Sequence, residues 1–271
     1  MVRIGIVGCG AIGSSLAEII RKELRGKAEV AAVFDVDTPK ALKLAAALGK
    51  SKNAVAADLS RLISRSDLVI EAASAAAAWT ICKQVLSRGR DAMIMSVGGI
   101  VAHARELSAL AARKKARVYV PSGAISGIDG LKASARAGLR RVTLTTRKPP
   151  QGFKSVAYVQ AKKIDLEHIT KDTVLFSGTA RQAMSYFPQN INVAGVLSLA
   201  GLGDARTRVR IIASPGLTRN IHEIEIVSAA GTVFTRTENV VHPHNPKTSF
   251  LAVLAAAAML RQIVSPVRIG T

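Results

Sequence analysis

The sequence has few of the residues that mark disulfide-rich, metal-binding or membrane-spanning proteins. It contains two cysteines, Cys9 and Cys82, which form no C-x-x-C pair. We therefore expect neither a disulfide framework nor a metal site, and we expect both thiols to be small buried side chains. The longest wholly apolar run, 250–260, is well short of the roughly 20 residues that cross a bilayer. The N-terminus leads into a strand pattern rather than a signal peptide, so we expect a cytoplasmic protein without a membrane partner.

Acidic residues are also scarce, with 18 Asp and Glu against 38 Lys and Arg and a formal net charge of +20. Such an excess can indicate a nucleic-acid partner. Here the basic residues are dispersed in pairs, without the interleaved aromatic residues of a nucleic-acid surface. We expect an enzyme with solvated basic faces that attract anionic ligands, and no nucleic-acid partner. Salt-sensitive DNA binding is the alternative that an experiment would have to show.

Glycine is most informative at the N-terminus, where a short apolar strand pattern over 2–7 runs into a G-x-G-x-x-G loop. In such loops the first glycine permits the tight turn, the second lets the backbone approach a pyrophosphate, and the third allows close helix packing. The anion then lies at the positive end of the following helix. We predict a dinucleotide site formed by Gly8, Gly10, Ala11, Ile12 and Gly13.

A second buried strand pattern ends in Asp35, about 20 residues beyond the loop, where a carboxylate holds the adenosine ribose hydroxyls. Its charge favours NAD, because it would repel the extra phosphate of NADP. No arginine follows Asp35, but Thr38 and Lys40 lie close in sequence. We therefore predict NAD as the cofactor and leave use of NADP open.

Strand and helix patterns alternate from residue 2 to about residue 120. This alternation predicts a doubly wound parallel sheet of the Rossmann type with right-handed crossovers. Ligands of such sheets bind at the carboxyl ends of the strands. The small residues that follow two later strand patterns are candidate cofactor contacts: Ala73, Ser74 and Gly98.

The pattern changes at about Leu139, after which four segments alternate with period two. They predict an antiparallel sheet, and with two helical segments between 178 and 202 they indicate a second α+β domain for substrate binding and dimerisation. A final helix over 248–264, with Leu251, Leu254, Ala255, Ala258 and Met259 as its apolar stripe, is expected to pack back on the nucleotide domain. We assign 1–123 plus 244–271 to the nucleotide-binding domain and 124–243 to the second domain.

A dehydrogenase must handle a proton, and a histidine is the usual agent. His222 shares a strand face with Ile224 and Ile226, opposite two glutamates, and is predicted to face inward. On spacing alone a core-filling histidine is an equal alternative. His103 and His168 have charged neighbours and are predicted to lie at the surface. For Asn190 and Asn192, helix capping and ligand contact are both open.

Four further motifs stand in order along nearly the whole chain. Together with the glycine loop, these motifs resemble the L-aspartate dehydrogenase family. They are far more specific than the glycine loop, and they read PSGAISG at 121–127, FPQNINVA at 187–194, NIHEI at 220–224 and NPKTS at 245–249.

The resemblance implies that Ala124 and Asn190 contact the cofactor and that His222 is the active-site residue. It also implies a homodimer that oxidises L-aspartate with NAD or NADP to iminoaspartate, which yields oxaloacetate and ammonia or feeds NAD synthesis. The carboxylates of that substrate need cationic or N–H donors. Candidate substrate-binding residues are Asn192, Lys247 and Thr248, with Arg219 as a further cation.

Two other readings are open at this point. Another two-domain oxidoreductase, of the homoserine or semialdehyde dehydrogenase type, would share the layout, and the semialdehyde type needs a thiolate nucleophile. A non-catalytic NAD-binding regulator would explain the glycine loop, but it would give His222 no catalytic role.

Overall fold

The computed structural model describes residues 1–187, 191–243 and 245–270, with the backbone alone for Ile191 and residues 245–247. Contacts divide the chain into two compact units. Unit 1 comprises Met1–Pro121 and Val253–Ile269, and unit 2 comprises Ser122–Ala252 with Gly270. Residues 245–252, which the sequence placed with the nucleotide-binding domain, group with unit 2.

Unit 1 is built on a five-stranded parallel sheet in the order β2-β1-β3-β4-β5, as predicted for a doubly wound fold. Its strands are mostly apolar because helices cover a parallel sheet on both faces. The elements are β1 (Val2–Val7), α1 (Ala11–Glu23), β2 (Ala28–Phe34), α2 (Thr38–Ala47), α3 (Leu59–Ser64), β3 (Leu68–Glu71), α4 (Ala75–Ser87), β4 (Asp91–Ile94), α5 (Ala104–Lys114) and β5 (Val118–Tyr119).

The last helix, α10 (Phe250–Val264), packs on this sheet. Val253, Ala256 and Leu260 belong to the same apolar cluster as Ile4 and Leu16. The expected return of this helix to the nucleotide-binding domain is therefore confirmed.

The apolar stripe predicted for α10 is wrong. Leu251 and Leu254 are 37% and 43% exposed, whereas Val253, Ala256, Ala257 and Leu260 are buried. Residues 250–260 of the helix are all apolar, so every side of this part of the helix is apolar and periodicity alone does not select the buried face.

Unit 2 contains a mixed five-stranded sheet in the order β10-β9-β6-β8-β7. The prediction of an antiparallel sheet is corrected at one pair, since β6 and β8 are parallel, and β7 was not predicted. Its elements are α6 (Ile128–Arg136), β6 (Leu139–Lys148), α7 (Ala157–Ala161), β7 (Thr173–Thr179), α8 (Ala180–Tyr186), α9 (Ile191–Ala200), β8 (Arg208–Ala213), β9 (Asn220–Ser228) and β10 (Gly231–Asn239).

A two-stranded sheet of β11 (Val241–His242) and β12 (Asn245–Ser249) precedes α10. Thr248 and Ser249 therefore belong to a strand, not to the predicted start of the last helix. Within the described residues, no helix is long and apolar enough to cross a membrane. The same residues bring together no group of three or more His, Cys, Asp or Glu side chains that would hold a metal ion.

Candidate functional site

The three glycines of the loop after β1 have different physical roles. Gly8 has a φ of +95°, and a Cβ there would lie 2.4 Å from the carbonyl oxygen of Ala72. A Cβ on Gly13 would lie 1.9 Å from the carbonyl oxygen of Gly8, so only glycine lets α1 pack this closely on the loop. A Cβ on Gly10 would meet no atom within 4 Å. Gly8 and Gly13 thus shape the loop, and Gly10 leaves its open side accessible.

The amino end of α1 is ready to receive an anion. Gly10 is the residue that precedes the helix, and it supplies no side-chain cap. The first N–H groups of the helix, on Ala11, Ile12 and Gly13, therefore have no acceptor within the helix. A pyrophosphate fits this end because the free N–H groups and the helix dipole both favour negative charge.

Asp35 follows β2 directly and is held by the backbone around it. One carboxylate oxygen accepts the Cys9 N–H at 2.7 Å, and the other accepts the Asp37 N–H at 2.9 Å. Each oxygen keeps a lone pair for a ribose hydroxyl. Lys40 lies close by, at 2.9 Å from Asp37.

A pocket of about 460 Å³ in unit 1 brings several predicted cofactor residues together. Its walls combine the glycine loop, the end of β2 and the loop after β3, and they leave room for a nucleotide. Gly98 is not among its lining residues and lies in a single helical turn after β4. The lining includes Gly8, Gly10, Asp35, Lys40, Ala73 and Ser74.

Ser74 also caps a helix. Its hydroxyl accepts the Ala77 N–H at 3.4 Å at the start of α4.

A buried carboxylate that the sequence analysis did not single out organises the loops at this edge. Glu71, at the end of β3, accepts the Ala73 N–H at 2.9 Å and both the N–H and the hydroxyl of Ser96 at 2.9 Å. Burial raises the pKa of Glu71, and these donors oppose that shift. Within an apolar strand pattern a lone glutamate is the signal that could have identified it.

Neither cysteine is prepared for nucleophilic chemistry. Cys9 and Cys82 are buried, as predicted. Burial raises the pKa of each thiol to about 12, with a smaller contribution from Asp35 for Cys9 and from Glu71 for Cys82. A thiol held in its protonated form is a poor nucleophile, so these residues do not support the semialdehyde dehydrogenase alternative.

In unit 2, His222 lies on β9 and faces inward, as the period-two pattern predicts. The residue is 6% exposed. Its neighbours along the strand, Glu223 and Glu225, are on the other face, where they pair with arginines. The inward geometry is confirmed, and the catalytic role is argued below.

Thr146 on β6 stands directly opposite His222, and its Oγ1 lies 3.0 Å from Nδ1 of the ring. Burial, and secondarily the positive charge of Lys148, lower the pKa of His222 to about 4. The ring is therefore neutral at physiological pH. When Nδ1–H donates to Thr146, Nε2 carries the lone pair that a base needs.

Lys148, the last residue of β6, was missed by the sequence analysis. It is 9% exposed, on the same face as Thr146. Burial lowers its pKa to about 8. The sequence signal was a lysine two residues beyond Thr146, since the alternate residues just before it, Val142, Leu144 and Thr146, are uncharged and buried.

Ala124 lies in unit 2 with its carbonyl oxygen held by two side chains of β10. Thr237 Oγ1 donates to it at 3.2 Å and Asn239 Nδ2 at 2.9 Å. Asn239 in turn accepts the Ser249 hydroxyl at 2.8 Å. The loop that carries Ala124 is thus anchored to the sheet.

The remaining predicted residues are more scattered. Asn192 is exposed near the start of α9, Thr248 is half-buried in β12, and Arg219 is exposed just before β9. Asn190 lies outside the described residues, as does the side chain of Lys247. His168 is exposed, as predicted, and pairs with Asp165. His103 is half-buried, because its ring stacks on Trp79.

Comparison with known proteins matches both units to described families. Residues 129–263 match the family described as "Aspartate dehydrogenase, C-terminal", and residues 8–121 match "Homoserine dehydrogenase, NAD binding domain". The chain is 44% identical to an L-aspartate dehydrogenase of Methanosarcina barkeri and 46% identical to one of Methanosarcina mazei, with all of each chain covered. It belongs to the L-aspartate dehydrogenase family.

A solved structure agrees with this membership. Aspartate dehydrogenase from Thermotoga maritima is 26% identical to this chain, with a TM-score of 0.77 and all of both chains covered. The fold class predicted for this family member is confirmed, and its Rossmann unit is an NAD(P)-binding domain.

Proposed function

We propose that this family member oxidises L-aspartate to iminoaspartate with NAD(P), and that the imine hydrolyses to oxaloacetate and ammonia or supplies NAD synthesis. The observation that carries the proposal is His222, a buried neutral histidine on the inward face of β9, in a chain 44–46% identical over its full length to proteins named L-aspartate dehydrogenase.

The cofactor fits unit 1 for the physical reasons given above. Gly8 and Gly13 hold the loop in a shape that a Cβ would destroy, the amino end of α1 receives the pyrophosphate, and Asp35 accepts the ribose hydroxyls. When held by these residues, NAD(P) would supply the hydride acceptor for the substrate α-carbon. The carboxylate of Asp35 favours NAD over NADP, because it repels a phosphate on the ribose.

His222 accepts the proton that the substrate ammonium group loses. An amino group expels hydride only when its nitrogen has a free lone pair, so the substrate ammonium must first lose a proton. Nε2 of His222 accepts that proton while Nδ1–H donates to Thr146. The same nitrogen afterwards orients the water that attacks the imine carbon. Burial keeps the ring neutral before substrate arrives, so it is ready to act as a base.

We further propose that Ala124, Asn190 and Gly98 contribute cofactor contacts and that Asn192, Lys247 and Thr248 contribute to the substrate site. Ala124 and Asn190 are supported by the family resemblance, and Asn192, Lys247 and Thr248 stand in motifs that carry it. Gly98 is supported by its place after β4, at the carboxyl end of a parallel strand. We place the enzyme in the cytoplasm, acting on small molecules.

We propose that the chain works as a homodimer. Phe234 lies on the edge strand β10 and is 62% exposed, and an exposed large aromatic residue is typical of a surface that a second copy covers. In light scattering we expect a dimer for the wild type and a monomer for Phe234→Glu. Val267→Glu, at an exposed residue of unit 1, should remain dimeric.

The function is tested by following NADH or NADPH formation at alkaline pH from L-aspartate, D-aspartate, L-glutamate, L-homoserine and L-malate. We expect turnover with L-aspartate alone, and faster with NAD. Turnover of L-homoserine, or of none of the five, would overturn the proposed activity.

A further inference from the structure

Lys148 occupies a position that a structural role does not explain. It ends β6 two residues beyond Thr146, and Thr146 stands opposite His222. Residues offset by two across an antiparallel pair are about 7–8 Å apart, within reach of a long side chain. Lys148 is close enough to His222 for its positive charge to lower the pKa of the ring.

The ammonium group of Lys148 lacks a counter-ion within the part of the chain that the structure describes. Across the described residues, it makes neither a hydrogen bond nor an ion pair. The adjacent Arg147, on the opposite face of β6, shows the contrast, because it pairs with Glu223 at 3.1 Å and with Asp172. A largely buried cation without a partner destabilises the fold, since burial removes most of its water and no acidic group replaces it.

A buried polar group without a partner in the protein is usually completed by water or by a ligand. Lys148 shares its face of β6 with Thr146, and Thr146 stands opposite His222. A polar ligand at Lys148 would therefore lie beside the ring of His222.

We propose that Lys148 binds a carboxylate of the substrate and so selects acidic substrates; this rests on the proposed function, because His222 must act on the amino group of the same molecule. A carboxylate is the chemical complement of an ammonium group that has no acidic partner among the described residues. Lys148 is thus a substrate-binding residue that deepens the assigned activity rather than a general base.

The test uses the full-length chain and Lys148→Met, which keeps the length of the side chain and removes its charge. We expect the KM for L-aspartate to rise about a hundredfold, while the Kd for NADH is unchanged. Succinate, a dicarboxylate without an amino group, should raise the melting temperature of the wild type and leave that of Lys148→Met unchanged. The matched control is Lys154→Met, since Lys154 is an exposed lysine of the same unit.

The melting temperature of the free protein separates this role from a structural one. Removing an uncompensated buried charge should raise the melting temperature of Lys148→Met above that of the wild type, by roughly 5 °C. A structural lysine would instead lower it when lost. If Lys148→Met and Lys148→Gln both fail to fold, Lys148 is structural and the proposal is overturned.

The two proposals fail in distinguishable ways. One outcome is that the wild type oxidises L-aspartate and Lys148→Met does so with the same KM. This outcome would overturn the role of Lys148 and leave the proposed activity standing. The other outcome is that the wild type does not oxidise L-aspartate, but succinate raises its melting temperature and not that of Lys148→Met. This outcome would overturn the proposed activity and leave the carboxylate site standing.

Discussion

Thr146 Oγ1 lies 3.0 Å from Nδ1 of His222, across a directly opposed pair of β6 and β9. This contact engages Nδ1 of the ring, and in the proposed mechanism Nδ1–H donates to the threonine hydroxyl. Thr146→Val keeps the shape and removes the hydroxyl, so we expect kcat to fall about tenfold with the KM for NAD unchanged. Thr145→Val, on the opposite face of the strand, should keep the wild-type kcat. An equal loss in both variants would show that the effect is one of packing.

His222→Ala removes the proposed base. We expect kcat to fall by about 10²–10⁴, measured as NADH formation from L-aspartate, while the Kd for NADH stays within twofold. His168→Ala, at an exposed histidine, is the control and should match the wild type. Near-normal turnover in His222→Ala would remove this residue from the mechanism.

The lowered pKa of His222 predicts how the free energy of unfolding depends on pH. Its folded-state value of about 4 lies below the ordinary 6.5, so between pH 6.5 and pH 4 the unfolded chain binds a proton that the folded chain does not. Lowering the pH through this window therefore favours unfolding. Lys148, with a pKa of about 8, stays protonated throughout it and contributes no slope.

The measurement is urea unfolding of the wild type and His222→Gln at several pH values. The wild type should lose about 3 kcal/mol relative to the variant between pH 6.5 and pH 4, and the two curves should run parallel above pH 6.5. Parallel curves at every pH would show that the folded-state pKa is near its ordinary value.

Gly10 and Gly13 form a matched pair for testing the phosphate loop. Gly10→Ala meets no protein atom, so the melting temperature of the free protein should not change, whereas the Kd for NAD should rise at least about tenfold. Gly13→Ala places a methyl group against the Gly8 carbonyl, so we expect the melting temperature to fall by roughly 5 °C. Unchanged NAD binding in Gly10→Ala would place the pyrophosphate elsewhere.

Asp35 is expected to set the cofactor preference. Asp35→Ser removes the charge that repels the extra phosphate and weakens the ribose hydrogen bonds. The kcat/KM for NAD should fall about tenfold to a hundredfold, and that for NADP should rise relative to it. Asp37→Asn, two residues away, is the control. A preference for NADP in the wild type would show that Asp35 does not contact the ribose.

The cofactor pocket was predictable because it depends on short-range rules. A strand, a glycine loop and a helix follow one another between Val2 and Glu23, and β2 pairs directly with β1, so Asp35 reaches the same edge of the sheet. Strand alternation likewise placed His222 inward, since its two neighbouring glutamates need solvent or a cation.

Other features depended on contacts that no local pattern contains. The parallel pairing of β6 with β8 is made across an intervening strand and three helices, and the buried face of α10 is selected only by the sheet it meets.

By itself the sequence determined the alternating unit, the glycine loop, the acid after β2 and the inward histidine, because backbone sterics and side-chain periodicity act between near neighbours. Only the tertiary structure decided the surroundings of two adjacent basic residues. Lys148 is buried near His222 with no counter-ion among the described residues, whereas Arg147 pairs with Glu223. The two residues are adjacent and both basic, and their difference arises from which strands and carboxylates the folded sheet brings to each face.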